Sequence, residues 1–145
     1  MRNRQRTMNK KVLIVDDEPD VATYLATILK TNGYEPIVAN DAKTGLKTAS
    51  DVRPALVCLD IMMPQESGIS MYTRLKQEKT TRDIPVIIIS GVSQNEEFDF
   101  RSYIPDKSIP PPENFMEKPI DVETFLEVVN DLTSSRSINN NSVKK

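Results

Sequence analysis

The run IPVIIIS, residues 84–90, is apolar from Ile84 to Ile89 and stops abruptly at Ser90. A strand that alternates polar and apolar side chains can leave one face in water. This one cannot. It needs cover on both faces, the situation of a central strand in a parallel sheet. Parallel neighbours require crossover connections, so the rest of the chain must supply helices between strands.

It does so in regular order. KVLIVDDEP, residues 11–19, starts as a strand and stops at paired aspartates, and Pro19 suits a first helical turn. Val21, Tyr24, Leu25, Ile28 and Leu29 then fall at helical spacing, which predicts that they face inward. Gly33 ends that helix. EPIVA (35–39) is a second strand, and Asp41 caps a helix with Ala42, Gly45, Leu46 and Ala49 inward. ALVCL (55–59) is the third strand. A helix over 67–78 follows, with Ile69, Tyr72 and Leu75 inward. After Ser90, SQNEEFDF suits one or two helical turns. YIPDKSIPPPENF carries four prolines and cannot continue a helix. NFMEKP is a short last strand, and Asp121 caps a final helix with Val122, Phe125, Leu126 and Val129 inward.

The expected fold class is therefore α/β, a doubly wound five-stranded parallel sheet of (βα)5 flavodoxin-like type with an atypical proline-rich fourth helix region. At 145 residues the chain is long enough for one domain with a real core. The expected organisation is a flexible basic arm over 1–10, one domain over 11–133, and a polar disordered tail over 134–145. No apolar run approaches the roughly 20 residues of a membrane span, and the N-terminus lacks a signal-peptide core. No membrane insertion and a cytoplasmic location are expected.

Charge and composition exclude several functions. Arg2, Arg4, Arg6, Lys10 and Lys11 make the first 11 residues basic, while the other 134 hold 14 basic and 21 acidic groups. A body with net charge −7 repels nucleic acid, so no direct nucleic-acid partner is expected. Histidine is absent, which removes histidine metal sites, Ser-His triads and any phosphohistidine on this chain. The single cysteine, Cys58, lies in an apolar strand and reads as core.

Every strand but the second ends on a reactive polar group. Asp16 and Asp17 end the first, Asp60 the third, Ser90 the fourth and Lys118 the fifth. In such sheets ligands bind at the carboxyl ends of the strands. Singly, each residue has an ordinary explanation as a cap, a turn or a surface group; together they form an inventory. Three adjacent carboxylates repel one another, and a hard cation relieves them. Oxygen-only ligands favour Mg²⁺ over zinc. A carboxylate nucleophile, a metal, a cation and a hydroxyl suit phosphoryl transfer to aspartate.

VLIVDDEP, LVCLDIMMPQESG, IPVIIISG and EKPID, in that order, resemble the motifs of bacterial response-regulator receiver domains, of the stand-alone, chemotaxis-regulator-like kind, over roughly residues 10–133. The resemblance implies that Asp60 is the phosphoacceptor, served by a sensor histidine kinase or a histidine phosphotransfer protein. It implies Mg²⁺ held directly by Asp17 and Asp60 and through water by Asp16, with the Met62 backbone carbonyl as a further ligand. Lys118 would pair with the phosphoryl oxygens, across a cis Lys118–Pro119 bond. Pro64 and Gly68 match the loop after the acceptor, where they would shape a tight turn. Ser90 and Phe115 would act as the switch, with a plain core phenylalanine as the alternative for Phe115. Such a protein is not an enzyme in its own right. It assists its own Mg²⁺-dependent phosphorylation and dephosphorylation and works in two-component signalling through an unknown downstream protein target.

The chain departs from the family between Ser90 and Lys118, where the connection is longer and its fourth helix gives way to NEEFDF and a proline-rich segment, 105–112. That segment reads equally as a partner-binding loop or an inert insertion. Apolar Met62 and Val92, beside the expected path of attacking water, imply slow phosphate loss. Among rival functions, a phosphatase of the haloacid dehalogenase type needs a second aspartate where Met62 stands. A nucleotide switch needs a GxxxxGK[ST] loop, which is absent. The remaining rival is a degenerate receiver that binds protein partners without phosphorylation.

Overall fold

The computed structural model describes the backbone of residues 10–91 and 100–143. Strands β1 (Lys11–Val15), β2 (Glu35–Ala39), β3 (Leu56–Asp60), β4 (Val86–Ser90) and β5 (Asn114–Glu117) alternate with helices. These are α1 (Pro19–Thr31), α2 (Ala42–Val52), α3 (Ser67–Gln77), α4 (Phe100–Tyr103) and α5 (Val122–Val143). All strand pairs are parallel and the order is β2-β1-β3-β4-β5. The fold is thus the doubly wound (βα)5 sheet. Its winding reverses between β1 and β3, so a crevice opens there at the strands' carboxyl ends.

The pleat divides the core. Leu13, Val15, Val57, Leu59, Val86 and Ile88 pack with α2 and α3 on one face. Val12, Ile14, Leu56, Cys58, Ile87 and Ile89 pack with α1 and α5 on the other. Alternate residues serve opposite layers, as a period of two requires. All five residues of β4 are buried, as its unbroken apolar run demands. Cys58 is fully enclosed, and burial pushes its thiol up to about 12, so it stays a neutral core group.

Helices α1, α2, α3 and α5 form where expected, with adjusted faces. In α1 the buried stripe is Ala22, Leu25 and Leu29. Val21 and Ile28 flank it, and Tyr24 is exposed, because successive helical residues turn about 100° around the axis. In α2 only Gly45 and Ala49 are buried; in α5, Phe125 and Val129 are buried while Val122 is exposed. Asp41 and Asp121 do cap their helices, accepting from Thr44 N at 2.7 Å and Thr124 N at 2.9 Å.

The two ends of the domain differ from the sequence reading. Helix α5 runs on to Val143, through most of the segment read as a disordered tail. No glycine or proline follows Pro119, so nothing in the sequence terminates the helix at Thr133. Lys10, assigned to the flexible arm, belongs to the fold. Its carbonyl accepts from Glu35 N at 2.9 Å and its Nζ donates to Thr133 O at 3.0 Å. The rest of the arm and residues 92–99, with Val92 and most of the SQNEEFDF run expected to form helical turns, lie outside the described residues.

Between β4 and β5 the described chain has the one-turn helix α4 and then no regular element until Asn114. Ile104, Ile109 and Pro112 are nevertheless buried. Tyr72 Oη donates to Pro110 O at 2.6 Å, and Glu113 accepts from Val86 N at 2.8 Å. The proline-rich segment is therefore a strap fastened onto the α3 side of the sheet.

Candidate functional site

The crevice between β1 and β3 collects the acids. Asp16, Asp17 and Asp60 each offer a carboxylate oxygen, all within 4.8 Å of one another. Among the described residues this is the one such cluster. Asp16 and Asp60 are only 1% and 2% exposed, whereas Asp17 faces solvent. Strand β3 delivers Asp60 as its last paired residue, opposite Ile89 of β4. A rigid, fully buried strand thus fixes the carboxylate that the sequence singled out.

Hydrogen bonds aim these groups. Asp60 Oδ1 accepts from Met62 N at 3.0 Å, leaving Oδ2 toward Lys118 Nζ at 3.5 Å. Asp16 Oδ1 accepts from Glu18 N at 2.9 Å. Asp16 Oδ2 is buried, accepts no hydrogen bond and lies 3.5 Å from Lys118 Nζ. Burial is the main cause that pushes the Asp16 carboxyl up, to about 6; the Glu18 amide opposes this and the charge of Asp60 adds to it. An orphaned, buried oxygen beside two further carboxylates fits a hard divalent cation, which would satisfy the oxygen and neutralise the repulsion.

Lys118 is the cation of the site. Burial acts to lower its pKa, but the hydrogen bond to Glu18 and the charges of Asp60 and Asp16 outweigh that, and the net direction is up. The ammonium stays charged at neutral pH. The Lys118–Pro119 bond is cis, as expected. Glu18 is the residue sequence reasoning missed: its Oε1 lies 2.7 Å from Lys118 Nζ, nearer than either aspartate. A signal existed, because Glu18 follows the acidic pair at an N-cap position, which glutamate rarely serves well.

The other expected residues are placed as follows. Ser90 ends β4, is 4% exposed, and its carbonyl accepts from Lys118 N at 2.8 Å. Met62 is exposed, and its contact with Asp60 is through its amide. Phe115 is not a plain core residue: it is 43% exposed on β5 and meets Phe100 edge-on at 6.4 Å. Gly68 serves a purpose other than a tight turn. It lies in the first turn of α3, where an added Cβ would come within 2.5 Å of Asp60 O and 2.8 Å of Ile61 Cα. Only glycine lets α3 approach the end of β3 so closely.

Comparison with known proteins agrees with this geometry. Residues 12–130 match the family model described as the response regulator receiver domain. The chain is 39% identical over 92 residues to the alkaline phosphatase synthesis transcriptional regulatory protein PhoP of Bacillus subtilis, covering 63% of this chain and 37% of that protein. It is 33% identical over 90 residues to the phosphate regulon transcriptional regulatory protein PhoB of Escherichia coli, covering 62% and 39%. The chain thus spans less than half the length of the curated relatives it matches. A further relative, from Synechocystis, is named a DNA-binding regulator, so these relatives give no support to the expected absence of a nucleic-acid partner.

Solved structures are similar over nearly their whole length. A CheY-like receiver domain from Methanospirillum hungatei superposes with a TM-score of 0.76 at 20% identity, covering 90% of this chain and 98% of that one. The response regulator TrrA of Thermotoga maritima, solved in complex with Mg²⁺-BeF, gives 0.69 at 28% identity, covering 85% and 98%. No helix among the described residues is long and apolar enough to cross a membrane. With its motif-bearing strand ends gathered at one crevice and its family model matched over most of its length, this chain belongs to the response-regulator receiver-domain family of two-component systems.

Proposed function

We propose that Asp60 accepts a phosphoryl group from a sensor histidine kinase or a histidine phosphotransfer protein. The observation that carries this is the placement of Asp60: buried at the winding reversal, within 4.8 Å of Asp16 and Asp17, with Oδ2 3.5 Å from Lys118 Nζ. An Asp60 oxygen forms the new bond to phosphorus while the donor's P–N bond breaks, and the imidazole nitrogen keeps the pair. Asp17, Asp60 and the Met62 carbonyl are the direct Mg²⁺ ligands in this reading, with Asp16 acting through water. Bound Mg²⁺ supplies charge neutralisation for the carboxylates and the phosphoryl oxygens. Lys118 balances the remaining charge. That a family member binds Mg²⁺-BeF supports the same use of this acidic pocket.

Once Asp60 carries the phosphoryl group, the Ser90 hydroxyl hydrogen-bonds it and Phe115 turns inward from its exposed position, reshaping the surface offered to a downstream protein. Energetically this is a two-state element biased by new charge-assisted hydrogen bonds. The chain then acts as a cytoplasmic signalling domain. Incubation with acetyl phosphate and Mg²⁺, followed by intact-mass measurement, tests the reading. One phosphoryl group should appear on the wild type and none on Asp60→Asn. No gain on the wild type would favour the phosphorylation-independent receiver.

A further inference from the structure

Lys118 is not free to meet a phosphoryl group. Its shortest ionic contact is Glu18 Oε1 at 2.7 Å, against 3.5 Å to both Asp16 and Asp60. The Glu18 backbone is held from both sides: its N–H donates to Asp16 Oδ1 at 2.9 Å, and its carbonyl accepts from Ala22 N at 3.1 Å. Glu18 is the N-cap residue of α1, yet its side chain makes no capping bond. The carboxylate is turned to Lys118 instead. One residue therefore orients an acid of the site through its backbone and holds the site's cation through its side chain.

We propose that Glu18 is a positioning residue that clamps Lys118 in the unphosphorylated state and slows phosphoryl acceptance. The inference rests on the phosphoacceptor reading given above. With acetyl phosphate as donor, an Asp60 oxygen bonds to phosphorus as the P–O bond to acetate breaks, and acetate leaves with the electron pair. The incoming oxygens need the ammonium that Glu18 occupies, and they meet the charge of Glu18 as well. Both effects raise the barrier, and both vanish when the carboxylate is made neutral.

The test uses Glu18→Gln and Glu18→Ser in the full chain. Glutamine keeps the shape without the charge; serine adds the missing N-cap bond. Both should accept phosphate from acetyl phosphate and Mg²⁺ about two- to five-fold faster than the wild type, the worth of a partly exposed ion pair. In the unphosphorylated proteins, the Lys118 ammonium signal by nitrogen-15 NMR should move, and its protons should exchange faster with water, in both variants. Unchanged or lower rates with an unmoved ammonium signal would overturn the clamp. Acceleration in serine alone would also overturn it, because helix stability would then be the cause. If no protein takes up phosphate, the phosphoacceptor reading fails, and the ammonium signal still decides whether Glu18 holds Lys118.

Discussion

The carboxyl edge of the sheet and the strap between β4 and β5 are built on opposite principles. At the edge, regular strands hold charges that repel one another: Asp16 and Asp60 are buried, with Asp17 and Glu18 beside them and Lys118 as the cation. In the strap an irregular backbone carries almost no charge into the core. It is held by Ile104, Ile109, Pro112 and the Tyr72–Pro110 hydrogen bond. In the phosphoacceptor reading proposed above, the edge has to take up added negative charge, which calls for fixed carboxylates, whereas the strap needs only to be anchored.

The largest effect should come from crowding the edge. Gly68→Ala places a methyl group against Asp60 O and Ile61 Cα, where backbone has to move. It should cost about 3 kcal/mol in denaturant unfolding and slow phosphorylation by acetyl phosphate. A loss below about 1 kcal/mol would show that α3 can yield.

Next in size is the pH response of the same edge. The Asp16 carboxyl is raised to about 6 when folded, from 3.8. The folded protein therefore binds that proton more readily than the unfolded chain. The stability gained is full below about pH 4 and is lost as pH rises through about 6. Without Mg²⁺, the stability of the wild type relative to Asp16→Asn should fall by about 2–3 kcal/mol between pH 4 and 7. Saturating Mg²⁺ should restore most of it, and a flat difference would show that burial and the neighbouring charge of Asp60 do not hold this carboxyl up.

The strap should answer to packing instead. Ile109→Ala deletes a side chain only 2% exposed and should cost about 2 kcal/mol, with hydrogen exchange rising over 104–113. Smallest is Tyr72→Phe, which removes the 2.6 Å bond to Pro110 O. A loss of about 1 kcal/mol with an unchanged rate of Asp60 phosphorylation is expected. A large change in that rate from either strap variant would mean the two regions are coupled, through the edge-on series Tyr72, Phe100 and Phe115.

Strands β1 to β4 were legible because each carries a short apolar run cut off by a polar residue, and burial on both faces leaves no other use for a run such as VIIIS. That Asp16, Asp17, Asp60 and Lys118 would meet was legible for the same reason, since the fold gathers strand ends. Tyr24 and Val122 misled because helical spacing marks a broad apolar stripe, while packing selects its centre. The tail misled because polar composition does not report backbone hydrogen bonds, and no breaker interrupts α5.

By itself the sequence determined the layer order, the parallel sheet and the set of groups at its carboxyl edge, because local periodicity and strand ends follow from side-chain chemistry near in the chain. Only the tertiary structure decided which partner each group meets. Glu18 holding Lys118 spans 100 residues, Tyr72 holding Pro110 spans 38, and Gly68 admits α3 against Asp60. Such contacts depend on how separate elements pack in space, and no spacing along the chain encodes them.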